Sequence, residues 1–153
     1  MAAQEPVGRS AKRSEDLAPL AQEWARAITQ AVYRPVSRQQ TEELLADLLS
    51  RLRAALLEEP FSADPARSVG ASLVDAGINR PEALERSLVF LDEHLLVALG
   101  LDDYTYRPLM TRLLAGLAGG WAGVLREQAA RHQREERRPA TGRSPGGTGR
   151  LGA

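Results

Sequence analysis

The chain contains no cysteine, so disulfides, thiolate metal sites and thiol nucleophiles are all excluded. Histidine is nearly as scarce. The two present, His94 and His132, have no partners at metal-ligand spacing, so no metal or other cofactor is expected. Aromatic residues make up only 5% of the chain, and Lys12 is the single lysine. No segment alternates apolar and polar residues over the length of a strand, which excludes a sheet. Long apolar runs are missing too: the uncharged stretch between Arg112 and Arg126 is 13 residues, where a membrane span needs about 20. The first residues, Met1-Ala2-Ala3-Gln4-Glu5-Pro6, lack the apolar centre of a secretion signal, and the expected location is the cytoplasm.

What the chain does have is leucine, alanine and arginine at helical spacing. Its 153 residues suffice for one domain and one core. Lys+Arg and Asp+Glu are equal at 20 each, but the charge is unevenly spread. From Arg126 onward there are seven Arg against three Glu, leaving 13 basic and 17 acidic residues before it. An acidic body argues against a nucleic-acid partner, because phosphate contacts need a basic face on the folded part.

Residues 1–14 are polar and aperiodic, and are expected to form a disordered arm. A first helix should start near Ser14 or Asp16, carry Leu17, Leu20, Trp24 and Ile28 on one face, and stop at Tyr33-Arg34-Pro35. Ser37-Arg38-Gln39-Gln40 fits a capping box for a second helix, whose leucines run from Leu44 to Leu56 before Pro60. Ser62-Ala63-Asp64-Pro65 reads as a cap followed by proline at the first helical position, and Gly77 as the closing residue of a short third helix. The same logic applies to Asn79-Arg80-Pro81-Glu82, with Asn79 as the cap of a fourth helix that ends at Gly100. A short acidic turn, Leu101-Asp102-Asp103, leads into Tyr104-Thr105-Tyr106-Arg107-Pro108 and a fifth, long helix. Its apolar stripe runs from Leu109 to Leu125, and a solvated run continues from Arg126 to Arg138. The expected fold is all-α: a single-domain bundle of about five helices over residues 15–133, with a long C-terminal helix and a charged, then Gly/Ser/Arg-rich, disordered tail over 134–153.

One segment breaks helical propensity. Leu113 to Leu125 contains Gly116, Gly119, Gly120 and Gly123, and at roughly 1 kcal/mol each these four glycines cost a helix roughly 3 to 4 kcal/mol. Compensation is required. One source is close approach of another backbone at Gly116 and Gly120, or at Gly119 and Gly123, each pair one turn apart, for which Ala66 and Gly70 supply a matching small-residue pair. Others are a pocket or soft hinge with Trp121 as its lid, or a subunit interface in a homodimer. Gly116, Gly119, Gly120 and Trp121 are therefore the ligand or hinge candidates, with Trp24 and Tyr33 lining the same region.

Catalytic groupings do not emerge. The acid pairs Glu42/Glu43, Glu58/Glu59 and Asp102/Asp103 are adjacent in sequence, and neighbours on a helix point in different directions. Gly146-Gly147-Thr148-Gly149 lacks the strand, helix and lysine of a nucleotide loop. The chain is not expected to be an enzyme.

Leu20-x-x-x-Trp24, Tyr33-x-Pro35, the leucine-rich second helix, Pro60-Phe61, Val69-Gly70-x-x-Leu73-Val74 and the run from Arg112 to Gly120 into a charged spoke together carry a resemblance. The chain resembles the helical N-terminal domain that precedes PAS, diguanylate cyclase (GGDEF) and phosphodiesterase (EAL) domains in actinobacterial cyclic-di-GMP signalling proteins. The resemblance implies a sensory or regulatory input domain that acts on a downstream signalling domain, or on a protein partner, through its last helix. No GGDEF or EAL motif is present, so neither activity carries over. The alternative expectation is a stand-alone interaction regulator of the anti-sigma or stress-signalling type, marked by an exposed apolar groove rather than an enclosed pocket.

Overall fold

A computed structural model describes residues 17–29 and 37–152, with side chains followed as far as Glu136. The expected arm over 1–14, Tyr33, and the side chains of the expected tail beyond Glu136 lie outside the described residues. Among the described residues five helices follow one another: α1 (Ala18–Ile28), α2 (Arg38–Leu57), α3 (Asp64–Asp75), α4 (Pro81–Leu99) and α5 (Asp103–Gly152). No strand occurs among the described residues, and the fold is an all-α single domain.

The helix boundaries follow from local chemistry. Ser37 is the N-cap of α2, its hydroxyl accepting from the Gln40 amide at 3.1 Å. Gly77 and Gly100 are the two positive-φ residues among those described, at 92° and 69°. Each ends a helix with a tight pair of backbone bonds, as where the Ile78 amide donates to Leu73 and the Leu101 amide to Leu96.

Three starts differ from the sequence-based expectation. The cap of α3 is Ala63, and the Ser62 hydroxyl bonds the Asp64 amide at 3.2 Å, so Pro65 is the second helical residue. The cap of α4 is Arg80 rather than Asn79. Arg80 is extended (ψ 140°) because Pro81 after it disfavours helical geometry. α5 begins at Asp103, ahead of Pro108. Its start is set by Asp102, whose Oδ2 accepts from both the Thr105 amide (2.8 Å) and the Thr105 hydroxyl (2.7 Å).

Those bonds hold the Asp102 carboxyl below its ordinary pKa, the Thr105 hydroxyl contributing most. Arg107 then ties the new helix back to α4, reaching Asp92 and Asp103 together. Asp103 and, to a lesser degree, Asp92 raise the guanidinium above its ordinary value.

The helices share one core. α1 packs on α2 and α4, while α3 packs most extensively on α5 and also on α2. Leucines supply its bulk: Leu45, Leu48, Leu49 and Leu52 from α2, Leu91 and Leu95 from α4, and Leu113 and Leu117 from α5 are fully enclosed. Aromatic side chains fill the remaining gaps. Trp24, Phe90 and Trp121 are buried, whereas Phe61 is half-buried under the Arg112 guanidinium, which lies 4.8 Å from the ring centre.

Candidate functional site

The glycines of α5 fall into two groups. Gly116 and Gly120 face α3. A methyl group at Gly120 would overlap the backbone carbonyl of Arg67, and one at Gly70 would overlap the carbonyl of Leu117. Gly116 sits against Ala63 and Ala66, where an added carbon would come within 3.0 Å of Ala63. The pairing is Gly116-x-x-x-Gly120 against Ala66-x-x-x-Gly70, with the two helices running in the same sense. Backbone meets backbone at the crossing, and the Cα–H groups of Gly70 and Gly120 are aimed at opposing carbonyl oxygens. Dispersion contacts along the closely approached backbones offset the propensity cost of these two glycines. Gly119 and Gly123 have no such neighbour: an added carbon at either meets nothing within 4 Å.

Trp121 closes this junction on its other side. Its ring is buried and its indole N–H donates to the Ile78 carbonyl at 2.9 Å. The bond pins α5 to the turn between α3 and α4. Beside the crossing lies an open groove of about 650 Å3 lined by Arg67, Ser68, Ala71, Gly123, Val124 and Glu127, among others.

Trp24 anchors a different junction, between α1 and α4. Its indole N–H donates to the Ser87 hydroxyl at 2.9 Å, and its ring stacks on Phe90 with centroids 6.4 Å apart and planes inclined by 14°. Ser87 is the buried polar residue of the described core. Sequence reasoning passed over it, although its place one turn from both Ala83 and Leu91 was a usable signal.

Phe90 continues outward to His94, whose ring is tilted against it at 4.7 Å. Beside these residues lies a second groove of about 520 Å3, lined by Ala27, Glu82, Glu85, Arg86, Val89, Phe90, Glu93 and His94. Sequence reasoning missed this groove as well. The signal was Val89, placed between Leu88 and Phe90, which is 55% exposed.

Beyond the core, α5 is solvated as far as its side chains are described. Leu125 is half-buried, and every side chain from Arg131 to Glu136 is exposed. His132 pairs there with Glu136 at 3.1 Å, while His94 is 4.0 Å from Glu93. No group of three or more metal-ligating side chains converges among the described residues. No helix among them is long and apolar enough to cross a membrane. Arg53 has a buried Nε without a hydrogen-bond partner among the described residues, and nothing in the structure assigns it a ligand.

Of the candidate residues, Gly116, Gly120 and Trp121 meet at the α3–α5 junction, Gly119 points away from it, and Trp24 belongs to the α1–α4 junction. Comparison with protein-family models, with curated proteins and with solved structures gives no match to this chain.

Proposed function

We propose that the chain is a non-catalytic helical input or interaction domain that passes a signal through α5. The observation that carries this reading is the division of that helix. Its inner part is clamped to α3 at Gly120 and pinned to Ile78 by Trp121, while its described side chains from Arg131 to Glu136 are exposed. A shift at the crossing is carried outward by a continuous helix, and Glu136 lies about 22 Å along the axis from Trp121 at 1.5 Å per residue. This is the arrangement that the resemblance to the input domains of actinobacterial cyclic-di-GMP signalling proteins implies, with a downstream signalling domain or a protein partner as receiver.

The test follows tryptophan emission together with the distance between labels at Glu43 on α2 and Gln133 on α5, during titration with a small-metabolite panel that includes cyclic-di-GMP. The expected outcome is one compound that changes both readouts. An emission change with the label distance fixed overturns transmission through α5.

A second reading, a stand-alone partner-binding regulator, is favoured by the open groove between α1 and α4. Its apolar floor is bordered by carboxylates, a composition suited to a peptide rather than to a reaction.

A further inference from the structure

The α1–α4 groove runs along three turns of α4, from Glu82 to Glu93, or about 16 Å at helical rise. Its volume of about 520 Å3 falls in the range of ligand pockets, roughly 300–1,000 Å3. The floor is apolar: Ala27, the exposed Val89 and the outer edge of Phe90, which Trp24 backs from inside. Along the rim, the carboxylates of Glu82, Glu85 and Glu93 outnumber the single guanidinium of Arg86. None of Glu82, Glu85 and Arg86 forms an ion pair with another described residue. An acidic rim over an apolar floor repels nucleic acid and anionic lipid. It complements a chain segment that carries Arg or Lys beside aliphatic side chains.

We infer that this groove docks a basic amphipathic peptide segment of a partner protein, its aliphatic side chains on Val89 and Phe90 and its cationic ones on Glu82, Glu85 and Glu93. The length matches about three turns of helix laid along α4, the helix-in-groove mode of recognition. The inference rests on the partner-binding reading and is independent of transmission through α5, so the two fail separately.

The experiment titrates the full chain into two labelled helical peptides with identical aliphatic positions, one with arginines and one with glutamates on the flanking face, read by fluorescence anisotropy. The basic peptide is expected to bind with a micromolar Kd and the acidic one more than tenfold more weakly. Val89→Asp, and separately the combined change of Glu82, Glu85 and Glu93 to Gln, should each weaken the basic peptide about tenfold, with circular dichroism unchanged. The matched control, Glu43, Glu58 and Glu59 to Gln on and beside α2, removes the same charge elsewhere and should leave binding within twofold. Equal binding of the two peptides, or equal losses in the control, overturns the proposal. So does a doubled mass of the free chain that Val89→Asp abolishes, because the occupant is then a second copy.

Discussion

At the α3–α5 junction the contact is between backbones, whereas at the α1–α4 junction it is between rings, a hydroxyl and aliphatic side chains. The first has nothing to rearrange: Gly70 and Gly120 present no side chain, and the opposing atoms are carbonyl groups held in helices. The second is made of movable parts. Trp24, Phe90 and His94 form a row that passes from the core to the edge of a groove. A rigid seam therefore stands beside an adaptable one, which suits a domain in which α3 and α5 move as one body while the α1–α4 side repacks around a partner. The two tryptophans illustrate the contrast. Trp121 bonds a backbone carbonyl, which only a change of fold can move, and Trp24 bonds a serine hydroxyl, which a single substitution removes.

The largest effect that would sharpen this comparison is Trp24→Ala. Emptying so much of the core should cost about 3 to 5 kcal/mol, read by denaturant unfolding. Ser87→Ala should cost only about 1 to 2 kcal/mol for the orphaned indole donor. If the two losses were equal, the ring would contribute nothing beyond its hydrogen bond.

Next is Gly120→Ala, which forces a methyl into the Arg67 carbonyl and should cost about 3 kcal/mol, at the upper end of overpacking. Gly119→Ala, one residue earlier on the open face, should instead stabilise by about 0.5 to 1 kcal/mol. Opposite signs at adjacent positions would confirm the rigid seam. A loss at both would place a further contact on the open face.

Smallest is the Asp102 cap. Its carboxyl is held below its ordinary pKa in the folded chain. The stability it contributes is therefore complete above that ordinary value and is lost as pH falls through the depressed one. Asp102→Ala should lower the melting temperature slightly at pH 7, and the difference from the parent should shrink as pH falls through the depressed pKa. A difference that persists in acid would assign the effect to something other than the carboxylate.

Much of the architecture was legible without coordinates, because it depends on neighbours in sequence. Leucine spacing marked α2 and the inner half of α5, Ser37 marked a cap, and Gly77 and Gly100 marked helix ends where only a residue tolerant of positive φ fits. Legibility failed where local signals competed. Asn79 is a better cap by residue type than Arg80, but the restriction that Pro81 places on its predecessor prevailed. At α5 the side chain of Asp102 captured Thr105 and began the helix ahead of Pro108.

The candidate site was only half readable for a related reason. Small residues one turn apart pointed to a close crossing of Ala66 and Gly70 with either Gly116 and Gly120 or Gly119 and Gly123. That the first pair is enclosed, while an added carbon at Gly119 or Gly123 meets nothing within 4 Å, depended on how the two helices cross.

By itself, then, the sequence determined helix number, the approximate ends of α2, α3 and α4, the buried stripes and the presence of a tight crossing, since periodicity, capping and glycine content act over a few residues. Only the tertiary structure decided which glycines are enclosed, that Trp24 and Trp121 belong to separate junctions, and that Val89, Phe90 and three glutamates border one groove. Those relations join residues up to 63 positions apart, as Trp24 and Ser87 are. The packing of whole helices sets such distances, and no local pattern encodes them.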